Sequence, residues 1–186
     1  MMITNKVLSL LLLLSLSGLG LFAQNYIGTH KAVLSSQGAS ATTEWSTNQM
    51  VCKLFPEQSK MELMAKTGAF LMGASAQNQT AFQEAFIPQA NRLMQLELDL
   101  SMLGLLPGSA KEIDQITVPG QIRYNDQQVN FQATLTNIRF SPQSFDANLS
   151  LSMDFSALGL AAPEGMKDKM GDSFSLSLTK LTLPAR

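Results

Sequence analysis

The 186-residue sequence has one histidine and one cysteine, which removes several classes of chemistry at the outset. With His30 alone, we expect no His-based catalytic triad, His-rich zinc site or facial iron triad. His30 itself is expected to be a solvated strand residue. Cys52 cannot form an intramolecular disulfide, and the apolar residues around it predict a small buried side chain in a strand. The alternative for Cys52 is a reactive or dimer-forming thiol, so the oligomeric state stays open, with a homodimer as one option.

Charged residues are also scarce, at 15% of the chain, and the net charge is −1. There is no basic patch for nucleic acid, no glycine-rich phosphate loop and no Gly-x-Ser-x-Gly elbow. Glu97 and Asp99, like Asp146 and Asp154, alternate with apolar residues, which is typical of a solvated strand face rather than of a catalytic acid pair. We therefore expect no enzymatic activity, no metal and no cofactor.

The first 23 residues have the organisation of a secretory signal peptide. Lys6 precedes an uncharged run from Val7 to Ala23, which is shorter than the roughly 20 apolar residues of a membrane span and contains two glycines. Cleavage after Ala23 would leave one domain, residues 24–186, with a net charge of −2 and no integral membrane span. We expect this domain in the periplasm of a bacterium or outside the cell. The alternative is an uncleaved anchor.

Beyond residue 90, apolar residues recur at every second position, which predicts strands with one buried face. The phase slips before Ile138, which indicates a β-bulge. Pro119-Gly120 interrupts another strand and favours a sheet edge or a bent corner. The aligned apolar residues of these strands, which carry no charge or hydrogen-bonding anchor, are Leu96, Leu98, Leu100, Val129, Phe131, Leu135, Leu149, Leu151, Met153, Phe174, Leu176 and Leu178.

The first half has a weaker pattern, with strands predicted near residues 30–35, 42–47, 49–54 and 61–66. Thr80-Ala-Phe-Gln83 is typical of a capping box and predicts a short helix that ends before Pro88. Phe82 and Phe86 would share one face of this helix, where they could close one mouth of the fold. The total of eight or nine strands predicts an all-β fold, either a sandwich with a filled interior or a closed antiparallel barrel of about eight strands.

The second half resembles the YceI-like family of exported bacterial proteins. The resemblance lies in Leu96-Glu-Leu-Asp-Leu100, Gly104-Leu-Leu-Pro-Gly-Ser109, Ile116-Thr-Val-Pro-Gly120 and Val129-Asn-Phe131, and it continues at Phe155-Ser-Ala-Leu-Gly-Leu160 and Met170-Gly-Asp-Ser-Phe174. It implies a lipocalin-like barrel that holds a polyisoprenoid or similar amphiphile. Ala81 departs from the family, which usually has histidine there.

The sequence therefore predicts a non-enzymatic protein that binds an elongated apolar ligand, an isoprenoid or another lipid. The twelve aligned apolar residues would line the interior, with Phe82 and Phe86 at its mouth. The alternative is a filled barrel that acts as a structural or protein-interaction module without a ligand.

Overall fold

The computed structural model describes residues 24–71, 92–161 and 168–186. Eight strands form one closed antiparallel barrel in which each strand pairs with its sequence neighbours and β8 pairs with β1. The strands are β1 Tyr26–Gln37, β2 Thr42–Phe55, β3 Lys60–Lys66, β4 Leu93–Asp99, β5 Lys111–Tyr124, β6 Gln127–Phe140, β7 Ser144–Asp154 and β8 Ser173–Pro184. The predicted all-β barrel is confirmed.

The helical elements in the described ranges are short 3-10 turns at Pro56–Gln58, Thr67–Leu71, Ser101–Leu103 and Phe155–Leu158. None of these described elements is long and apolar enough to cross a membrane. The helix predicted around Thr80–Phe86 and the signal peptide lie outside the described residues.

Strand alternation places the core inside the barrel, because every second side chain of a strand points to the same face. Cross-strand pairing joins these inward residues into belts. One belt runs from β2 to β5 by way of β1, β8, β7 and β6, and its members are Trp45, Leu34, Leu176, Leu151, Ala133 and Val118. A second belt crosses β2 to β6 through Cys52, Leu63, Leu96, Ile122 and Val129.

Bulges in three strands change which residues face inward. The two strands predicted at 42–47 and 49–54 are one strand, β2, in which the register slips opposite His30–Ala32 and the inward phase changes from Thr47 to Met50. The bulge predicted before Ile138 is present at Asn137, whose φ is 53°. A further bulge at Lys180, with φ of 56°, shifts β8 against β7, and Asn148 Oδ1 accepts the Lys180 backbone N–H at 2.8 Å.

The Pro119-Gly120 dipeptide marks the place where β5 loses one neighbour. β4 pairs with β5 only from Gly120 to Arg123, whereas residues 111–119 pair with β6 alone. Because proline has no backbone N–H to donate to a ladder, Pro119 is tolerated just beyond the last β4 pair. The predicted sheet edge is therefore confirmed, although the strand continues through it.

Candidate functional site: the barrel interior

The interior is built from the residues that the alternation predicted and from the first four strands. Of the fourteen predicted lining residues, twelve are described, and eleven of these are at most 8% exposed. Val129 is partly buried and packs against the same core. Phe82 and Phe86 lie outside the described residues. The described lining residues therefore lie together on the inner face of the barrel, as predicted. Their role in ligand binding stays a prediction.

Several inward residues were missed by the sequence analysis. The largest is Trp45, which is 1% exposed and stands beside Leu34 across the β1–β2 ladder. Further examples on β2 and β3 are Met50, Leu54, Met61 and Leu63. Their alternation is visible from residue 50 onward, but the β2 bulge separates it from the alternation of Thr43, Trp45 and Thr47.

One end of the barrel is filled by aromatic side chains. At this end, named here the Tyr26 end, β1 begins and β6 ends, and the rings of Tyr26 and Phe140 lie 5.4 Å apart. The Tyr26 hydroxyl donates to the Ser141 carbonyl at 2.9 Å, and burial raises the pKa of Tyr26. Phe145 is paired with Phe140 and is fully buried. Aromatic rings also pack at the opposite end of the barrel, where Phe155 and Phe174 lie 5.2 Å apart and both are buried.

At the opposite end, named here the Tyr124 end, β5 ends and β6 begins. Here hydroxyl groups face inward and each has a partner. Ser36 Oγ donates to the Ser173 carbonyl at 2.7 Å, and Thr43 Oγ1 donates to the Lys169 carbonyl at 3.0 Å. Because a buried polar group without a partner is costly, these bonds allow polar residues in an otherwise apolar wall.

The barrel wall is thin where Gly120 meets Phe131. Gly120 is paired with Leu98 on β4 and with Phe131 on β6, so all three face inward. A Cβ atom at Gly120 would lie 2.6 Å from Phe131 Cζ and 2.8 Å from Leu98 Cδ2, so the phenyl ring occupies the place of the missing side chain. A groove of about 420 Å³ on the outer surface, lined by Glu97, Pro119 and Gln132, reaches Gly120 and Phe131 from outside.

His30 differs from the expectation of a solvated strand residue. It is half-buried on the inward row of β1, and its Nε2 atom is enclosed with no hydrogen-bond partner among the described residues. Burial lowers the pKa of the imidazole, while a hydrogen bond to the Thr182 carbonyl opposes this shift. The ring is inward because His30 is in phase with Tyr26 and Ala32, the buried residues of β1. At His30 the ladder between β1 and β8 is open: the two strands pair at Val33–Ser35 and then only at a bridge between Tyr26 and Ala185.

Cys52 is fully buried on the inward row of β2, as predicted for a small apolar residue. Burial raises the pKa of its thiol to about 12, which keeps the group neutral and unreactive. Within residues 24–71, 92–161 and 168–186, no three His, Cys, Asp or Glu side chains are grouped as a metal site. The interior of the closed barrel offers apolar contact surface.

The solved structures that match this chain include two that cover most of it. A polyisoprenoid binding domain from Saccharophagus degradans, implicated in plant cell wall breakdown, is 9% identical and matches 87% of this chain and 97% of its own, with a TM-score of 0.59. BcnA from Burkholderia cenocepacia is 12% identical and matches 84% of this chain and 96% of its own, with a TM-score of 0.55. The chain has a YceI-like fold.

Both matched proteins are YceI-like, so the comparison supports the resemblance stated from the sequence. At these identities the likeness concerns the fold and not the ligand. No protein-family model matches the sequence. No curated protein matches it either.

Proposed function

We propose that the protein is exported and binds an elongated apolar molecule, an isoprenoid or another lipid chain, inside the barrel. The observation that carries this proposal is the closed ring of buried apolar side chains contributed by all eight strands. A barrel of this strand number is wide enough to hold one small ligand. The description of one structural neighbour as a polyisoprenoid binding domain points in the same direction.

The energetics of such a site need no catalytic group. Burial of one CH₂ group contributes about 0.8 kcal/mol, so a chain with about ten buried carbons gains about 8 kcal/mol before the costs of ordering. The methionines of the wall, Met50, Met61, Met94 and Met153, are all buried. Because methionine side chains adapt their shape, they suit a wall that contacts a flexible chain.

Access is proposed at the Tyr124 end, because the segment predicted to close the mouth leaves and rejoins the barrel there. The chain leaves the barrel at the Tyr124 end after Leu71 and returns at Arg92. The segment that carries Phe82 and Phe86 therefore starts and finishes at this mouth.

The proposal is tested by native mass spectrometry of protein purified from an exporting cell without detergent, followed by solvent extraction. We expect a polypeptide that lacks residues 1–23 and carries extractable apolar mass. Added geraniol, farnesol and geranylgeraniol should raise the melting temperature progressively, because longer chains bury more CH₂ groups. A clean apo mass with no thermal shift from any of the three would support the filled structural module instead.

A matched pair of variants tests whether the ligand binds inside the barrel. Leu151 faces inward and Ser150, its neighbour, faces solvent. Leu151→Trp should reduce the thermal shift produced by geranylgeraniol, because the larger ring takes up ligand space. Ser150→Trp adds a ring of the same size to the outer surface and should leave the shift unchanged. Equal effects of the two variants would contradict an interior site.

A further inference from the structure

The first part of β5 has a neighbouring strand on one side only. Residues 111–119 pair with β6, whereas β4 pairs with β5 only from Gly120 to Arg123. Because successive residues of a strand direct their backbone groups to opposite sides, about half of the N–H and C=O groups of residues 111–119 point away from β6. We call this side of residues 111–119 the open edge, which is about 26 Å long. The exposed side chains along it are those of Glu112, Asp114, Gln115, Thr117 and Pro119.

The segment that joins β4 to β5 does not pair with the open edge. Its backbone N–H groups donate to carbonyls within the segment or to the Ser59 carbonyl, and none of these bonds reaches residues 112–119. Its buried side chains, Leu100, Leu103 and Leu105, belong to the core. The segment therefore packs into the barrel, and the open edge has no backbone partner in the described part of the chain.

Apolar side chains lie on and next to the open edge. Ile113 and Ile116 of β5 are partly buried and pack against the core. Met102 and Leu106, in the segment that leads to β5, are each 66% exposed. They are two of the three large hydrophobic side chains that are exposed among the described residues. A strand added beside β5 would therefore gain apolar contact as well as backbone hydrogen bonds.

The open edge is acidic. Asp114 has no cation within ion-pair distance among the described residues, and Glu112 lies 3.8 Å from Arg139 Nε with both side chains largely exposed. Such an exposed pair contributes little and leaves the carboxylate accessible. Asp99, the last residue of β4, is exposed and lines the groove of about 420 Å³ in which the open edge ends. A partner would thus meet three carboxylates.

These charges favour one kind of partner over another. Lys111 is the one basic residue of the sequence 111–119, and its Nζ donates to the Leu103 carbonyl. A second copy of the chain would bring an acidic edge against an acidic edge, and like charges across a ladder are destabilising. Charged residues and proline on an edge strand also oppose pairing between identical chains. A basic strand would instead meet opposite charge.

We propose that the open edge binds an extended segment of another polypeptide that is rich in lysine or arginine and adds to the sheet beside β5. Backbone hydrogen bonds to the open edge would provide affinity. The carboxylates of Asp99, Glu112 and Asp114 would select basic side chains through charge-assisted hydrogen bonds. Because this surface lies outside the barrel, the inference does not depend on what the interior binds.

The test uses three labelled peptides of equal length, titrated into the full chain and followed by fluorescence anisotropy. The first alternates lysine and valine, the second alternates glutamate and valine, and the third is the lysine peptide with every backbone nitrogen methylated. We expect the first to bind about 10-fold or more tighter than the other two. Hydrogen exchange should show that the first peptide protects amides of residues 112–118 that point away from β6, and leaves residues 120–123 unchanged.

A charge-reversal pair locates the interaction. Glu112→Lys/Asp114→Lys should weaken binding of the lysine peptide about 10-fold and strengthen binding of the glutamate peptide. The matched control is Glu44→Lys/Asp154→Lys, which makes the same charge change at exposed residues of β2 and β7 and should keep the preference of the wild type. The melting temperature of each variant shows whether its fold is intact.

Several results would overturn the proposal. If the methylated peptide binds as tightly as its parent, charge alone drives association and no strand is added. Equal binding of the glutamate and lysine peptides, or no protection of residues 112–118, excludes a basic strand at the open edge. Protection of these amides that rises with protein concentration in the absence of peptide would assign the open edge to a second copy of the chain.

Discussion

Replacement of Gly120 by alanine would place a methyl group where the Phe131 ring now lies. The added Cβ would be 2.6 Å from Phe131 Cζ, 2.7 Å from Phe131 Cε2 and 2.8 Å from Leu98 Cδ2. These separations are about 1 Å shorter than ordinary carbon contacts of about 3.5–4.0 Å. The ring must therefore move away from β5, either into free interior space or against its neighbours.

The size of the effect depends on what surrounds the ring. In a filled core, overpacking of this kind costs about 1–3 kcal/mol, and about 0.4–1 kcal/mol is recovered because alanine restricts the unfolded chain. For a chain of this size, 1 kcal/mol corresponds to about 2–4 °C in melting temperature. We expect Gly120→Ala to lower the melting temperature by a few degrees if the interior is filled, and by less than about 1 °C if the ring can turn into a hollow.

The assay is urea and thermal unfolding of four proteins: the wild type, Gly120→Ala, Phe131→Leu and the double variant. Leucine is shorter than phenylalanine, so in the double variant the added methyl group should be accommodated, and the cycle should show favourable coupling between the two changes. Additive effects of the two substitutions would refute the contact between Gly120 and Phe131. If the interior is hollow, geranylgeraniol binding by Gly120→Ala should weaken, because the displaced ring enters the proposed ligand space.

Two further predictions concern the buried titratable groups of β1 and β2. Burial lowers the pKa of His30 below its usual 6.5, so as the pH falls the unfolded chain is protonated before the folded chain. The free energy of unfolding should therefore keep its full value above about pH 6.5 and should decrease towards about pH 5. Urea unfolding should show this loss in the wild type and a flatter profile in His30→Gln, whereas identical profiles would exclude the histidine as its source. With a pKa of about 12, roughly one Cys52 thiol in ten thousand is ionised at about pH 8, so Ellman's reagent should react with the denatured chain and not with the native one. Rapid stoichiometric labelling of native protein would show that the thiol is accessible.

The sequence predicted strands β4–β8 well because the alternation beyond residue 90 is regular. The rows from Leu96 to Leu100 and from Phe145 to Met153 keep one phase, and each row became one inward face. In β2 the extra residue at the bulge reverses the phase, so the same reasoning divided one strand into two. Bulges depend on pairing with a neighbouring strand, which a single strand's pattern does not contain.

Other features depend on contacts between distant residues. The contact of the Phe131 ring with Gly120 cannot be predicted without knowing which residue of β6 lies opposite Gly120. Alternation alone also fits a sandwich as well as a barrel. The choice between them is made by three residue pairs, from Val33–Ser177 to Ser35–Ser175, that join the first strand to the last.

These three pairs have a consequence for how the protein folds. Every other ladder joins strands that follow one another in the chain, whereas the hydroxyls of Ser35 and Ser175, 2.7 Å apart, are separated by 140 residues. Hairpins form quickly from nearby segments, but a contact of such long sequence separation must wait until nearly all of the polypeptide is present. We therefore expect the pairing of β1 with β8 to be the last step of folding. Before that step the two outer strands would have unpaired backbone groups, which are exposed edges that can pair with neighbouring chains.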